Sequence, residues 1–108
     1  MCSTYLYTKQ VFTGGMVNSL KEKMASEITL SEYPGMTLKK WRETFMVTQN
    51  QLAKKLDIKS SVISDYENGR RKSPGIGIIK KIINGLIEID IENGSQIIKK
   101  YSKTFMEG

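Results

Sequence analysis

Apolar residues recur at intervals of three and four along most of the chain, the spacing that places them on one face of a helix. Val17, Leu20, Met24 and Ile28 make the first stripe, with Lys21, Glu22, Lys23 and Glu27 between them, and predict an amphipathic helix there. Ser31 to Gly35, ending in Pro34-Gly35, predicts a break. The period resumes with Leu38, Trp41, Arg42 and Phe45, a stripe in which one member is charged. Thr48-Gln49-Asn50-Gln51 has the form of a capping box: the Thr48 hydroxyl accepts from the amide three residues on, and Gln51 reaches back. A short helix burying Leu52, Ala53 and Leu56 follows. Asp57-Ile58-Lys59 is then a turn, since Asp is one of the few residues besides Gly that tolerate a left-handed corner.

The segment from Ser60 to Asn68 sorts into two helical faces. Val62, Ile63, Tyr66 and Glu67 fall on one; Ser61, Ser64, Asp65 and Asn68 fall on the other. Asn68-Gly69 ends that helix, and Arg70-Arg71-Lys72-Ser73-Pro74-Gly75 is a basic loop that its Pro and Gly keep from continuing. A further helix carries Ile79, Ile82, Ile83 and Leu86. Beyond Asp90, Ile97, Ile98, Tyr101 and Phe105 predict a last helix near Glu92 to Lys103, capped by Asn93 or Ser95. No strand pattern of useful length appears. The expected fold is therefore all-α: five helices preceded by an additional N-terminal one. Residues 1–15 show no period and are expected to form a loosely ordered arm, 16–35 the N-terminal helix and linker, 36–90 the central domain, and 91–108 a C-terminal helix.

Charge sharpens this outline. The 108 residues carry 17 Lys and Arg against 11 Asp and Glu, a formal charge of +6, and the surplus lies wholly between Met36 and Ile82, where eleven basic residues face four acidic ones. A basic excess confined to one segment points to an anionic partner such as nucleic acid. Enzymatic chemistry has little to stand on: there is no His and a single Cys, Cys2, with no carboxylate pair at consistent spacing and no glycine-rich phosphate loop. For the same reasons no metal site and no cofactor are expected. The first fifteen residues lack the form of a secretory signal. The most apolar stretch, Ile76 to Ile91, is interrupted by Lys80, Lys81, Glu88 and Asp90, so no membrane span is expected. A cytoplasmic location is the default reading.

Two charges on apolar stripes demand a partner. Arg42 and Glu67 each sit on the inward face of their own helix, where a lone charge costs several kcal/mol, so they are expected to meet. The outward faces suggest contacts instead. Thr48 and Gln49 open a helix whose free amides favour a phosphate, although capping alone accounts for Thr48. Arg70, Arg71 and Lys72 are adjacent cations suited to neutralising phosphates, and Asn68 can add a hydrogen bond.

Two short helices joined by a three- to four-residue turn, the second polar outside and apolar inside, form a unit that fits a DNA major groove. The run TQNQLAKKLDIKSSVISDYENGRRKSP resembles the helix-turn-helix of the XRE (Cro/C1-type repressor) family, over about residues 36–90. The resemblance implies a lambda-repressor-like domain, a bridge between Arg42 and Glu67, and a backbone-clamping role for Gln49. It also implies base-reading positions at Lys59, Ser60, Ser61, Ser64 and Asp65. Their chemistry is weakly informative: Ser bonds to several base edges, and Asp accepts from cytosine N4, so shape and phosphate geometry share the recognition. Asp57, where the family often has Gly, and Lys59, where a capping Ser or Thr is common, depart from the pattern.

The function implied is a non-enzymatic, DNA-binding transcriptional regulator acting on double-stranded DNA. Two other roles fit the same fold, a bridging module that contacts transcription machinery and the antitoxin of a toxin–antitoxin pair. A ligand pocket built from Met36, Met46, Trp41 and the Tyr residues is disfavoured, because such residues at helical spacing are usually core. Ile76, Ile78, Ile87, Ile89 and Ile91 exceed a single stripe. Together with Ile97, Ile98, Tyr101 and the Val17/Leu20/Met24 face they need burial, which predicts a homodimer with residues 17–30 and 92–105 at its interface.

Overall fold

The computed structural model describes residues 17–71 and 74–107, with side chains described as far as Tyr101. The expected arm at residues 1–15, Lys72, and the Phe105 side chain lie outside the described residues. Within them the chain is all-helical: α1 over residues 17–30, α2 (Pro34–Thr44), α3 (Gln49–Leu56), α4 (Ser60–Glu67), α5 (Ile76–Glu92) and α6 (Gln96–Glu107).

Three boundaries differ from expectation. The Pro34-Gly35 pair opens α2 rather than breaking the chain: Pro34 takes a first-turn position, where its missing N–H is no loss and its fixed φ suits the helix. Gly35 is needed there for another reason. A Cβ on it would fall 1.9 Å from the Tyr66 carbonyl oxygen, so α2 and the end of α4 approach at backbone distance. At the other end, α5 continues to Glu92 and α6 begins only at Gln96. Neither Asn93 nor Ser95 supplies the side-chain cap expected of it. That role falls to Asp90 of the preceding helix, whose carboxylate oxygens accept from the amides of Ile97 (3.2 Å) and Ile98 (2.9 Å).

Helices α2 to α5 all end in the same way. In each, one amide donates back five residues and its neighbour donates back three, around a residue of positive φ. The bonds are Val47 to Arg42 and Met46 to Glu43, Ile58 to Ala53 and Asp57 to Lys54, Arg70 to Asp65 and Gly69 to Tyr66, and Ser95 to Asp90 and Gly94 to Ile91. The left-handed residues at these corners are Met46, Asp57, Gly69 and Gly94, the last followed by Ser95, which is left-handed as well. The residue that follows each corner decides where the chain goes next. Val47 is buried and Ile58 packs against the core, so those turns fold back. Arg70 is solvent-facing, so after α4 the chain turns outward at that residue.

The core draws on every helix. Val17, Leu20, Met24 and Ile28 of α1 pack in one cluster with Leu38 and Trp41 of α2, Leu52 of α3, Ile63 of α4, Ile79, Ile82, Ile83 and Leu86 of α5, and Ile98 of α6. Trp41 joins three of them: its ring lies tilted against that of Tyr101 with centroids 5.5 Å apart, and its indole N–H donates to Glu27 of α1 at 3.1 Å. Lys55 of α3 reaches Glu92 of α5 at 2.6 Å.

This packing revises the argument for a dimer. Of the eleven surplus apolar residues on which it rests, Val17, Leu20, Met24, Ile87, Ile89 and Ile98 are buried within the single chain, and Ile78, Ile97 and Tyr101 are partly buried against its core. They need no second copy to cover them. Of the α5 isoleucines only Ile76 and Ile91 are exposed.

Candidate nucleic-acid interface

The α3–turn–α4 unit is fixed from within by one polar network. Arg42 donates from Nε to Glu67 Oε2 (2.7 Å), from Nη2 to Glu67 Oε1 (3.0 Å) and from Nη1 to the Val47 carbonyl (2.7 Å). The expected meeting of the two charges is therefore a bidentate pair, the strong form of this contact, and both residues are buried. The hydrogen bonds to Glu67 raise the Arg42 pKa above its ordinary value, against the opposing pull of burial. Val47 is the partner the sequence did not suggest, because its carbonyl is brought into reach only by the left-handed corner at Met46. The network ties the end of α2, the corner before α3 and the end of α4 into one frame.

Gln49 belongs to the same frame. Its side-chain amide donates to Glu67 Oε1 at 2.9 Å, so one of its two amide hydrogens is already committed. Thr48 forms the full capping box, accepting from the Gln51 amide at 3.1 Å while Gln51 Oε1 accepts from the Thr48 amide at 2.8 Å. The corner between the helices is left-handed at Asp57, with φ 56°: an Asp does the work for which the family often uses Gly. Lys59 stands at the N-cap of α4 without a side-chain capping bond.

The buried stripe of α4 is narrower than its sequence suggested. Ile63 and Glu67 are buried, whereas Val62 and Tyr66 are only partly so. A helix of eight residues that rests on α2 and α3 offers them a single line of contact, and Tyr66 faces Arg71 instead, whose guanidinium lies 5.7 Å from the ring centre. On the outer side Ser61 and Asn68 are exposed and Ser60, Ser64 and Asp65 half-exposed. Asn68 donates to the Ser64 hydroxyl at 3.1 Å. Arg70 and Arg71 lie on this same side, since both approach the Asp65 carboxylate, at 3.6 and 3.7 Å. Hydroxyls, an amide, a carboxylate and two guanidinium groups thus share one solvent-facing surface along α4, above a frame that cannot rotate without breaking the buried ion pair.

Residues 38–92 match a family model described as helix-turn-helix. The chain belongs to the XRE-type helix-turn-helix family. It is 49% identical over 89 residues to an uncharacterised HTH-type transcriptional regulator of Archaeoglobus fulgidus, a match covering 82% of this chain and 38% of the relative. It is 58% identical over 73 residues to another protein so named, from Methanocaldococcus jannaschii, covering 68% of this chain and 30% of the relative. The chain thus spans well under half the length of these relatives. No solved structure matches it. The family match begins within α2 and ends with α5, so it contains the Arg42–Glu67 frame and leaves α1 and α6 outside, although both pack into the same core.

Proposed function

We propose that the chain is the DNA-binding part of a transcriptional regulator, with α4 entering the major groove of duplex DNA. The observation that carries this reading is the shared surface of α4. Its polar side chains stand outward beside Arg70 and Arg71, as a groove-reading helix flanked by phosphate-neutralising cations requires. Membership in the XRE-type family and the names of the two relatives support it further. Ser60, Ser61, Ser64 and Asp65 face base edges, with Lys59 at the helix start. Gln49, Asn68, Arg70, Arg71 and Lys72 hold the backbone, and the free N–H of the Gln49 amide is the donor for a phosphate. Thr48 acts through the capping box that fixes the start of α3.

The action is non-enzymatic and takes place in the cytoplasm. No helix among the described residues is long and apolar enough to cross a membrane. Two copies on a two-fold operator would put their α4 helices about 34 Å apart, one turn of the duplex. Such a pairing needs a surface other than the face of α1, which is already spent on the core. Sedimentation at tens of micromolar, with and without operator duplex, reads that pairing directly; a monomer in both states rejects it.

Selection from random duplexes followed by a salt titration tests the main reading. Observed affinity should fall steeply with salt, and the Arg70→Ala/Arg71→Ala/Lys72→Ala variant should lower the slope of log affinity against log salt by up to about 3. A chain that binds no duplex at low salt overturns the proposal and turns attention to a protein partner.

A further inference from the structure

Asp65 stands where an acidic residue has least reason to be. It lies in the last turn of α4, the end at which the helix dipole disfavours negative charge, and on the surface that faces the DNA in the reading above. Glu67, the other acid of that turn, is explained by Arg42. Asp65 is not buried, serves no cap, and has as its charged partners the two arginines of the basic loop. Its backbone carbonyl accepts from the amides of both Arg70 (2.9 Å) and Arg71 (3.2 Å), and its carboxylate offers one oxygen to each guanidinium. Arg70 and Arg71 are thus hinged on Asp65 by their backbone and held to it by charge.

The hold is loose. The arginine side chains are 73% and 51% exposed against 29% for that of Asp65, and the contacts at 3.6 and 3.7 Å exceed hydrogen-bond length. Exposed pairs of this kind exchange partners at little cost. A phosphate oxygen of a nucleic-acid backbone presents the same chemistry as the Asp65 carboxylate and carries comparable charge.

We infer that Asp65 is an intramolecular stand-in for a DNA phosphate: it occupies Arg70 and Arg71 in the free protein and sets the protein's discrimination against non-specific DNA. The inference rests on the DNA-binding reading. On any duplex the two arginines leave Asp65 for the backbone, and the freed carboxylate then faces the negatively charged groove. A preferred site repays this through its remaining contacts, including a cytosine N4 donor within reach of the carboxylate; a random site does not. Asp65 therefore weakens binding most where the sequence is wrong.

The test compares wild type with Asp65→Asn, which keeps the shape and removes the charge, on a random-sequence duplex and on an operator obtained by selection. At low salt the variant should bind the random duplex about fivefold more tightly, the scale of one screened charge contact. The gain should fade as salt rises, and the ratio of operator to random affinity should drop. In an Arg70→Ala/Arg71→Ala background the same substitution should give less than about a twofold gain, because the groups for which Asp65 competes are gone. Unchanged or weaker random-duplex binding overturns the inference, and so does a full gain in the arginine-less background, which would make Asp65 a bare repulsive charge. Retention on a heparin column, read as the eluting salt, separates the two proposals. A wild-type chain that binds no duplex fails the DNA reading, whereas Asp65→Asn eluting no later than wild type fails the stand-in itself.

Discussion

In the half of the molecule built from α2, α3 and α4, the buried carboxylate is Glu67, and it answers a guanidinium from 25 residues away; in the half built from α5 and α6 it is Asp90, and it answers backbone amides seven and eight residues on. The chemistry of the two ties differs in what it asks of the sequence. Glu67 is tolerable only if position 42 carries a matching cation, whereas the amides that satisfy Asp90 exist whatever side chains follow. The half that carries the proposed recognition surface is therefore specified by particular residue pairs, and the C-terminal half by a helix end that any chain turning at that point would present. A surface that must hold α4 at a fixed angle depends on the first kind of tie.

Removing one partner of each tie gives the largest contrast. Arg42→Ala leaves the Glu67 carboxylate buried and uncompensated and should cost about 3–5 kcal/mol. Asp90→Ala exposes two amides at the start of α6 that water can partly reach and should cost about 1–3 kcal/mol. Urea unfolding of the full chain measures both. Replacing the ion pair as a whole by apolar residues of similar volume, Arg42→Met with Glu67→Leu, should recover most of the first loss, since the penalty comes from the orphaned charge. Equal losses for Arg42→Ala and Asp90→Ala would erase the distinction between the two halves.

Two glycines repeat the contrast at smaller scale. In the recognition half, Gly35 faces the backbone of Tyr66, and an added Cβ meets an atom that cannot step aside. In α5, a Cβ on Gly85 would come within 2.9 Å of Leu56 Cδ2 and 3.2 Å of Leu52 Cδ1, the ends of side chains that can adjust. Gly35→Ala should thus destabilise by about 1–3 kcal/mol as overpacking forces α2 from α4. Gly85→Ala should change stability by less than about 1 kcal/mol, because the helix-propensity gain of Ala over Gly offsets the repacking. Since α2 braces the end of α4, Gly35→Ala should also lower duplex affinity by more than its effect on melting temperature predicts. Affinity that merely follows stability would show that α2 supports the fold without aiming the recognition helix.

How much of this was legible in the sequence follows the same division. The Arg42–Glu67 pair could be read because each charge interrupts an apolar stripe, and a charge out of register advertises a partner. The capping box at Thr48 and Gln51 and the corner at Asp57 could be read because local chemistry decides them within a few residues. Asp90 could not: it lies on a helix so rich in isoleucine that one carboxylate looks like a solvent-facing interruption. Its role depends on α6 folding back across a turn that the pattern placed too early. Gly35 beside Pro34 looked like a break because proximity to Tyr66 is a tertiary fact. The apolar surplus of α5 exceeds one stripe per helix for the same reason: α1 and α6 together supply it with a second set of neighbours.

The smallest effects lie at the helix ends, where the two halves solve one problem with different residues. Met46 after α2 and Gly94 after α5 both hold positive φ, 59° and 97°, in the same double-bonded corner. A side chain in that conformation costs about 1–2 kcal/mol, and glycine avoids it at an entropic cost of about 0.5–1 kcal/mol. Met46 is 80% exposed, so its side chain recovers nothing by packing. Met46→Gly should accordingly stabilise the chain by about 0.5 kcal/mol, raising the melting temperature by about 2–4 °C, while Gly94→Ala should lower stability by up to about 1 kcal/mol. The first substitution lies beside Val47, whose carbonyl holds Arg42, and therefore probes more than a corner. If Met46→Gly stabilises the fold and leaves duplex affinity unchanged, the left-handed methionine is only a tolerated residue at a turn. If it stabilises the fold and weakens binding, the exposed methionine side chain is itself part of the proposed DNA-facing surface, which then reaches the corner between α2 and α3.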